Sequence, residues 1–244
     1  VVLALVGERG REAQRWLERI DRRTTIVCAT SDRSASERIR AAEVAMTQAS
    51  VLCERGLHVV LVIDSLARYV AALRERRSAF GEAVGRGGYP PAVWSDLACY
   101  LERAGNGERG SITLLATVLS DGADEREPLS EAARSLLDGH VVLSSALAHA
   151  GKFPAIDILA SASRTMAGVV DVRHARDAAR IRAALARLAE TKDAREMGLA
   201  SRDIADAANV AAEPHIESFL YSSAPSDPEQ TRDALHALAS VLAS

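Results

Sequence analysis

At 244 residues, 48% hydrophobic and 26% charged, the chain has the composition of a globular protein with a sizeable core, which excludes a disordered segment. A formal net charge of −3 supplies no electrostatic argument for nucleic acid or an anionic membrane as the main partner. No apolar run approaches the about 20 residues that a membrane span needs, and Cys28, Cys53 and Cys99 are widely spaced without a CxxC pair, which argues against a disulfide framework or zinc site and suits a reducing cytoplasm.

The first element is the apolar run VVLALV, residues 1–6, which reads as a buried strand. It begins at Val1 with no leader-like pattern of charged, apolar and small residues, so the sequence reads as a piece of a longer protein. The run stops at VGERGRE, where Glu8, Arg9, Arg11 and Glu12 crowd around two glycines. TTIVCAT at 24–30 predicts a second strand. Between Ser34 and Arg55, Ile39, Ala42, Met46, Ala49 and Cys53 recur every three or four residues and predict an amphipathic helix. A third strand follows in LHVVLVIDS, 57–65, and then GEAVGRGGYPP, 81–91, too rich in glycine and proline for a helix, predicts an exposed flexible hairpin or lip.

Further strands are predicted in SITLLATVL at 111–119, HVVLSS at 140–145 and AIDIL at 155–159. Segments apolar on both faces, alternating with helices, predict an α/β fold: a doubly wound parallel sheet covered by helices. After about Val170 strand signals cease. Residues 171–190 are rich in Ala, Arg and Leu, and two more helical stretches flank YSSAPSDPEQ, where Asp227 is a predicted N-cap, Pro228 the first helical residue and Gln230 the reciprocal partner of a capping box. The expected domains are therefore 1–170, α/β, and 171–244, a small all-α domain.

Candidate chemistry collects at strand ends. Asp64 closes the apolar strand LHVVLVI, at the edge where open parallel sheets bind ligands; it is equally placed to cap the next helix. Glu8 has the same choice between a site and the start of a helix. Arg164, just after AIDIL, is either a third charged group on that edge or a surface ion-pair partner. Phe153 stands before the same strand as buried packing or a stacking platform, in a chain with only 4% aromatics. The histidines at 58, 140, 149, 174, 215 and 236 show no metal-binding spacing, and neither GxSxG nor a strand-linked GxGxxG occurs.

In this order, GERGRE at 7–12, ATSDRS at 29–34, VLVIDSLARY at 60–69, RGGYPP at 86–91, LERAGNGERGSIT at 101–113, LDGHVVLS at 137–144 and FPAIDILASASRTM at 153–166 resemble the export ATPases of type III secretion systems. That family shares a RecA-like fold with the catalytic subunit of rotary ATP synthases. The resemblance implies ATP and Mg2+ as cofactors. It implies Glu8 as the residue that activates the attacking water, with Arg9 beside it. Asp64 becomes a magnesium ligand acting through water, Arg68 a neighbour of the nucleotide pocket, Phe153 the adenine-stacking aromatic and Arg164 an arginine finger reaching into the next subunit. The implied assembly is a homohexameric ring with loop 81–91 facing its pore. Its partners would be stalk and stator-like regulatory proteins and chaperone–effector complexes, with no nucleic acid. Its place would be the cytoplasm, peripheral to the inner-membrane secretion apparatus.

ATSDRS favours the injectisome branch over the flagellar one. A degenerate, non-hydrolysing ring component of the same fold is the alternative, because the family's phosphate-binding GxxxxGK[ST] does not occur: Lys152 precedes Phe153 and Lys192 precedes Asp193. The family's N-terminal β-barrel is also not among these residues. Other departures are Ala67, Ala83-Val84, Ser120-Asp121, and LAETKDAREMGLA at 188–200 in place of an aromatic-rich segment.

Overall fold

The computed structural model describes residues 1–119, 127–197, 204–221 and 227–242. Ser120-Asp121 and part of YSSAPSDPEQ lie outside them. The chain forms two compact units, Val1–Leu137 and Asp138–Ser244.

In the first unit, β1 (Val2–Val6), β2 (Thr25–Ala29), β3 (His58–Asp64), β4 (Gly105–Asn106) and β5 (Ser111–Ala116) form one sheet in the order β2-β1-β3-β5-β4. The pairs β1–β2, β1–β3 and β3–β5 are parallel, and only the short β4 runs antiparallel. Every residue of β1 is buried. Its side chains alternate between two layers. Val2, Ala4 and Val6 face the core built with α2 (Ala35–Glu54), α3 (Leu66–Ala79) and α4 (Ala92–Leu101), while Leu3 and Leu5 meet Ala13 of α1 (Gly10–Leu17). This is why the strand reads as a continuous apolar run.

The helix expected over 34–55 is α2, and Ser34 is its N-cap. Its Oγ accepts from the Glu37 N–H while the Glu37 carboxylate accepts from the Ser34 N–H, a complete capping box. The predicted lip 81–91 is a closed turn: Gly85 N–H donates to the Tyr89 carbonyl at 3.0 Å around a 3-10 turn, Arg86–Gly88. Arg77 of α3 anchors it by bonding Glu82 at 2.9 Å and both oxygens of Asp96 at 2.8 Å. Gly87 has φ +68° and lies against Pro128, the first residue of α5 (Pro128–Leu136).

In the second unit, β6 (Gly139–Leu143) and β7 (Ile156–Ser163) form a two-stranded antiparallel sheet with a bulge between His140 and Val142. This corrects the expectation of parallel strands there. Residues 144–155, with the short α6 (Ser145–His149), join the two and return β7 directly beside β6, so that Val142 pairs with Asp157 and Leu143 with Ile156. After α7 (Met166–Val169) come α8 (Val172–Glu190), α9 (Lys192–Glu196), α10 (Ile204–Tyr221) and α11 (Pro228–Val241). Ile181, Ala184 and Leu188 of α8 pack with Ile216 of α10 and Leu238 and Ala239 of α11. Asp227 caps α11 as expected, but its bond is from the Glu229 N–H at 3.0 Å. Among the described residues no helix is long and apolar enough to cross a membrane.

Candidate nucleotide site

The parallel register brings three strand ends to one edge: Val6 lies opposite Ala29, Leu5 opposite Asp64, and Ile63 opposite Ala116. The turn after β1 is fixed by its neighbours. Gly7 N–H donates to the Ala29 carbonyl at 2.7 Å, and Ser31 N–H donates to the Glu8 carbonyl at 3.0 Å. Gly7 adopts φ +73°, and a Cβ there would fall 2.9 Å from Cδ of Arg68. Only glycine suits both the left-handed backbone and the close approach.

That approach lets Arg68, one turn into α3, reach back across the sheet edge. Its guanidinium lies 2.8 Å from Glu8 Oε1 and also donates to the Gly7 carbonyl. Glu8 is 7% exposed, one of very few buried carboxylates among the described residues. Burial first, then a hydrogen bond to Glu12, pushes its carboxyl up to about 7; Arg68 opposes this and the charge of Asp64 adds to it. Glu12, one turn on in α1, is held below the usual range, chiefly by that same bond from Glu8. Burial, aided by Asp32 and Glu8, also raises the thiol of Cys28.

Asp64 ends β3 half-buried, and Thr117 at the end of β5 donates its hydroxyl to Asp64 Oδ1 at 2.7 Å. The helix-capping alternative for Asp64 is taken instead by Ser65, whose Oγ accepts from the Arg68 N–H at 3.4 Å. The Asp64–Ser65 peptide is cis. The carboxylate is thus left directed by a side-chain bond rather than consumed by a backbone cap. Arg9 is exposed and occupies the N-cap position of α1; its carbonyl accepts from Glu12 and Ala13 N–H groups, while its charge helps keep Glu12 ionised.

Glu8, Arg68 and Asp64 therefore come together as neighbours on one edge. Arg164 and Phe153 belong to the second unit. Arg164 is exposed, immediately after β7, and its N–H donates to the Asp138 carbonyl at 2.7 Å. Phe153 is 60% exposed before a cis Pro154. Its neighbour Lys152 pairs with Glu217 and lies 5.4 Å from the Tyr221 ring centroid, tying the loop to α10. Sequence reasoning gives Thr117 and Glu12 no role. The signal for Thr117 is its place as the polar end of an apolar strand, and for Glu12 its spacing of four from Glu8.

Comparison with known proteins identifies the family to which the fold belongs. Residues 1–163 match the ATP synthase alpha/beta family, nucleotide-binding domain. The chain is 49% identical over 195 residues to a type 3 secretion system ATPase of Sinorhizobium fredii, covering 78% of this chain and 43% of that protein. The assembled ATPase EscN of the enteropathogenic E. coli type III secretion system superposes with a TM-score of 0.93 at 38% identity, over 98% of this chain and 60% of that one. EscN has also been solved in complex with its central stalk EscO, and that structure matches with a TM-score of 0.88 at 38% identity, over 98% of this chain and 59% of that one. The chain spans about half the length of the curated relatives it matches. With its nucleotide-binding fold and these relatives, the chain belongs to the ATP synthase alpha/beta family and is similar to the type III secretion system ATPases within it.

Proposed function

We propose that the chain carries the water-activating wall of an ATPase that powers a type III protein secretion apparatus, releasing chaperones and unfolding substrates for export. The observation that carries the reading is Glu8: a buried carboxylate with its proton affinity raised to about 7, paired with Arg68 on the sheet edge that Asp64 shares. A general base works best when its proton affinity lies near the working pH. Glu8 in its ionised form accepts a hydrogen bond from the attacking water and orients it, and Arg68 keeps the carboxylate aimed.

Asp64 fits a magnesium ion through water, because a half-exposed carboxylate already directed by Thr117 is the oxygen donor that a hard, strongly hydrated cation takes. Magnesium-bound ATP would supply the phosphoryl group and neutralise the charge that develops on it. The triphosphate cradle GxxxxGK[ST] is not among these 244 residues, so Glu8, Arg9, Arg68 and Asp64 supply one wall and not the whole site. Arg164 acts in trans as an arginine finger in a homohexamer, and Phe153 stacks on the adenine; their exposure supports such roles. The functional division remains 1–170 and 171–244, since the family match runs to 163 and includes β6 and β7. A stalk protein is the expected ring partner, by analogy with EscN and EscO; chaperone–effector complexes, stator-like proteins and a cytoplasmic position at the inner membrane complete the reading.

Glu8→Gln in the full-length protein tests it. The amide keeps the size and loses the base, so hydrolysis is expected to fall by about 10²-fold or more while Mg-ATP binding stays within about twofold. Turnover at the wild-type rate would reject Glu8 as the base.

A further inference from the structure

Midway along β7 the chain leaves the strand ladder. His140 pairs with Ala162 and Val142 with Asp157, so residues 158–161 stand opposite Val141 alone. Backbone groups shut out of a ladder need other partners, and here one side chain supplies most of them. We propose that this side chain, Arg182 of α8, is a positioning residue for the arginine finger, a role that rests on Arg164 being that finger.

The guanidinium of Arg182 is a fork set into the bulge. Its Nη1 donates to the Ile158 carbonyl at 2.7 Å and to the Ser161 carbonyl at 3.2 Å. Its Nη2 donates to the Leu159 carbonyl at 3.3 Å and again to the Ser161 carbonyl at 3.2 Å. The remaining carbonyl of the bulge, that of Ala160, lies 3.0 Å from Nε2 of His140. The N–H groups are held as well. Asp157 Oδ1 accepts from Leu159 and Ala160 at 3.0 and 2.9 Å, and Ser161 Oγ accepts from the Val142 N–H at 2.9 Å. A planar group with several donors in fixed directions suits converging carbonyls, and a lysine ammonium is not its equivalent. Beyond the bulge the ladder resumes, with Ala162 opposite His140 and Ser163 opposite Gly139, and the next residue is Arg164, whose N–H donates to the Asp138 carbonyl at 2.7 Å. The depth of the bulge thus fixes where Arg164 leaves the strand, and Arg182 fixes the depth of the bulge. A finger works only where its guanidinium meets the charge that develops on the phosphoryl group, and a misplacement of about 1 Å can cost about 10²-fold in rate.

A residue that only holds the fold damages its own subunit when lost, whereas a residue that places the finger damages the neighbour's site. Arg182→Met in the full-length protein keeps the stem and removes every donor. Its kcat is expected to fall about tenfold or more, with KM for Mg-ATP within about threefold of wild type. Diluted into an excess of Glu8→Gln subunits, each Arg182→Met subunit keeps its own Glu8 and faces an intact finger from its neighbour. Turnover per Arg182→Met subunit is then expected to rise several-fold, towards that of wild-type subunits diluted in the same way. Diluted into Arg164→Ala subunits, it is expected not to rise. Arg182→Lys keeps the charge but not the fork; a loss of about threefold with the same pattern of rescue is expected, and this variant decides the matter if the methionine one does not fold. Wild-type turnover by either variant, or a loss that Glu8→Gln subunits do not rescue, would overturn the role of Arg182. Undiminished hydrolysis by Arg164→Ala would instead remove the finger assignment on which that role stands.

Discussion

Glu8 shows how one residue's chemistry is made by its surroundings. In the sequence it is one of two carboxylates beside two arginines, and nothing in that spacing says which acid is buried. The fold decides by burying Glu8 in the β1–α1 turn and leaving Glu12 half-buried on the first turn of the helix. The consequence for stability has a definite sign. Burial raises the folded-state carboxyl from 4.5 to about 7, so between those values the folded protein binds more protons than the unfolded one, and stability falls as pH rises through that window. Glu8→Gln removes the penalty. The variant is expected to match wild type near pH 4.5 and to exceed it by about 1–3 kcal/mol above pH 7 in urea unfolding of this chain, because each tenfold difference in proton affinity between the folded and unfolded states is worth about 1.4 kcal/mol. A variant less stable than wild type at pH 8 would contradict this. The same substitution thus stabilises the fold and disables the proposed chemistry, a trade common at functional sites.

Elements differ in how openly they declare themselves. Helix α2 is legible from Ile39, Ala42, Met46, Ala49 and Cys53, which are all buried, and its start from Ser34 followed at three residues by Glu37. That local device makes a local prediction. Ser34→Ala removes one side of the capping box and is expected to cost about 1 kcal/mol in urea unfolding, with no change in the Glu8 titration, because the cap bonds of Ser34 are to Glu37 and not to Glu8. The pair β6 and β7 is legible as two strands but not in direction. A short apolar run reads the same in a parallel or an antiparallel pair, and the direction is shown only by the pairing itself, Val142 opposite Asp157 and Leu143 opposite Ile156. The glycine-rich loop 81–91 reads as free because its composition is that of a turn, yet Arg77 of α3 bonds Glu82 within it and Gly87 lies against the distant Pro128 of α5.

At the scale of the whole molecule, these residues carry one wall of the proposed site and not its phosphate cradle. Because GxxxxGK[ST] does not occur among these residues, the 244-residue chain alone is expected to show no micromolar binding of Mg-ATP in isothermal titration, and micromolar affinity would overturn that. In the full-length protein Arg164→Ala is expected to abolish hydrolysis and spare nucleotide binding. Mixing it with Glu8→Gln subunits is expected to restore part of the activity, since a finger in trans lets an intact Glu8 meet an intact Arg164 at some interfaces. Mixed rings with no recovered turnover would argue against a finger supplied by the neighbour. By itself the sequence determined the alternation of strands and helices, the seven family motifs, and the placing of Glu8 and Asp64 at strand ends, because these are written in local periodicity and in motif order. Only the tertiary structure decided that Arg68 closes on Glu8, that Thr117 bonds Asp64, and that β6 and β7 run antiparallel. Arg68 and Thr117 act across separations of 60 and 53 residues, from Glu8 and Asp64 respectively, and such contacts exist only once the parallel register brings the strand ends to one edge.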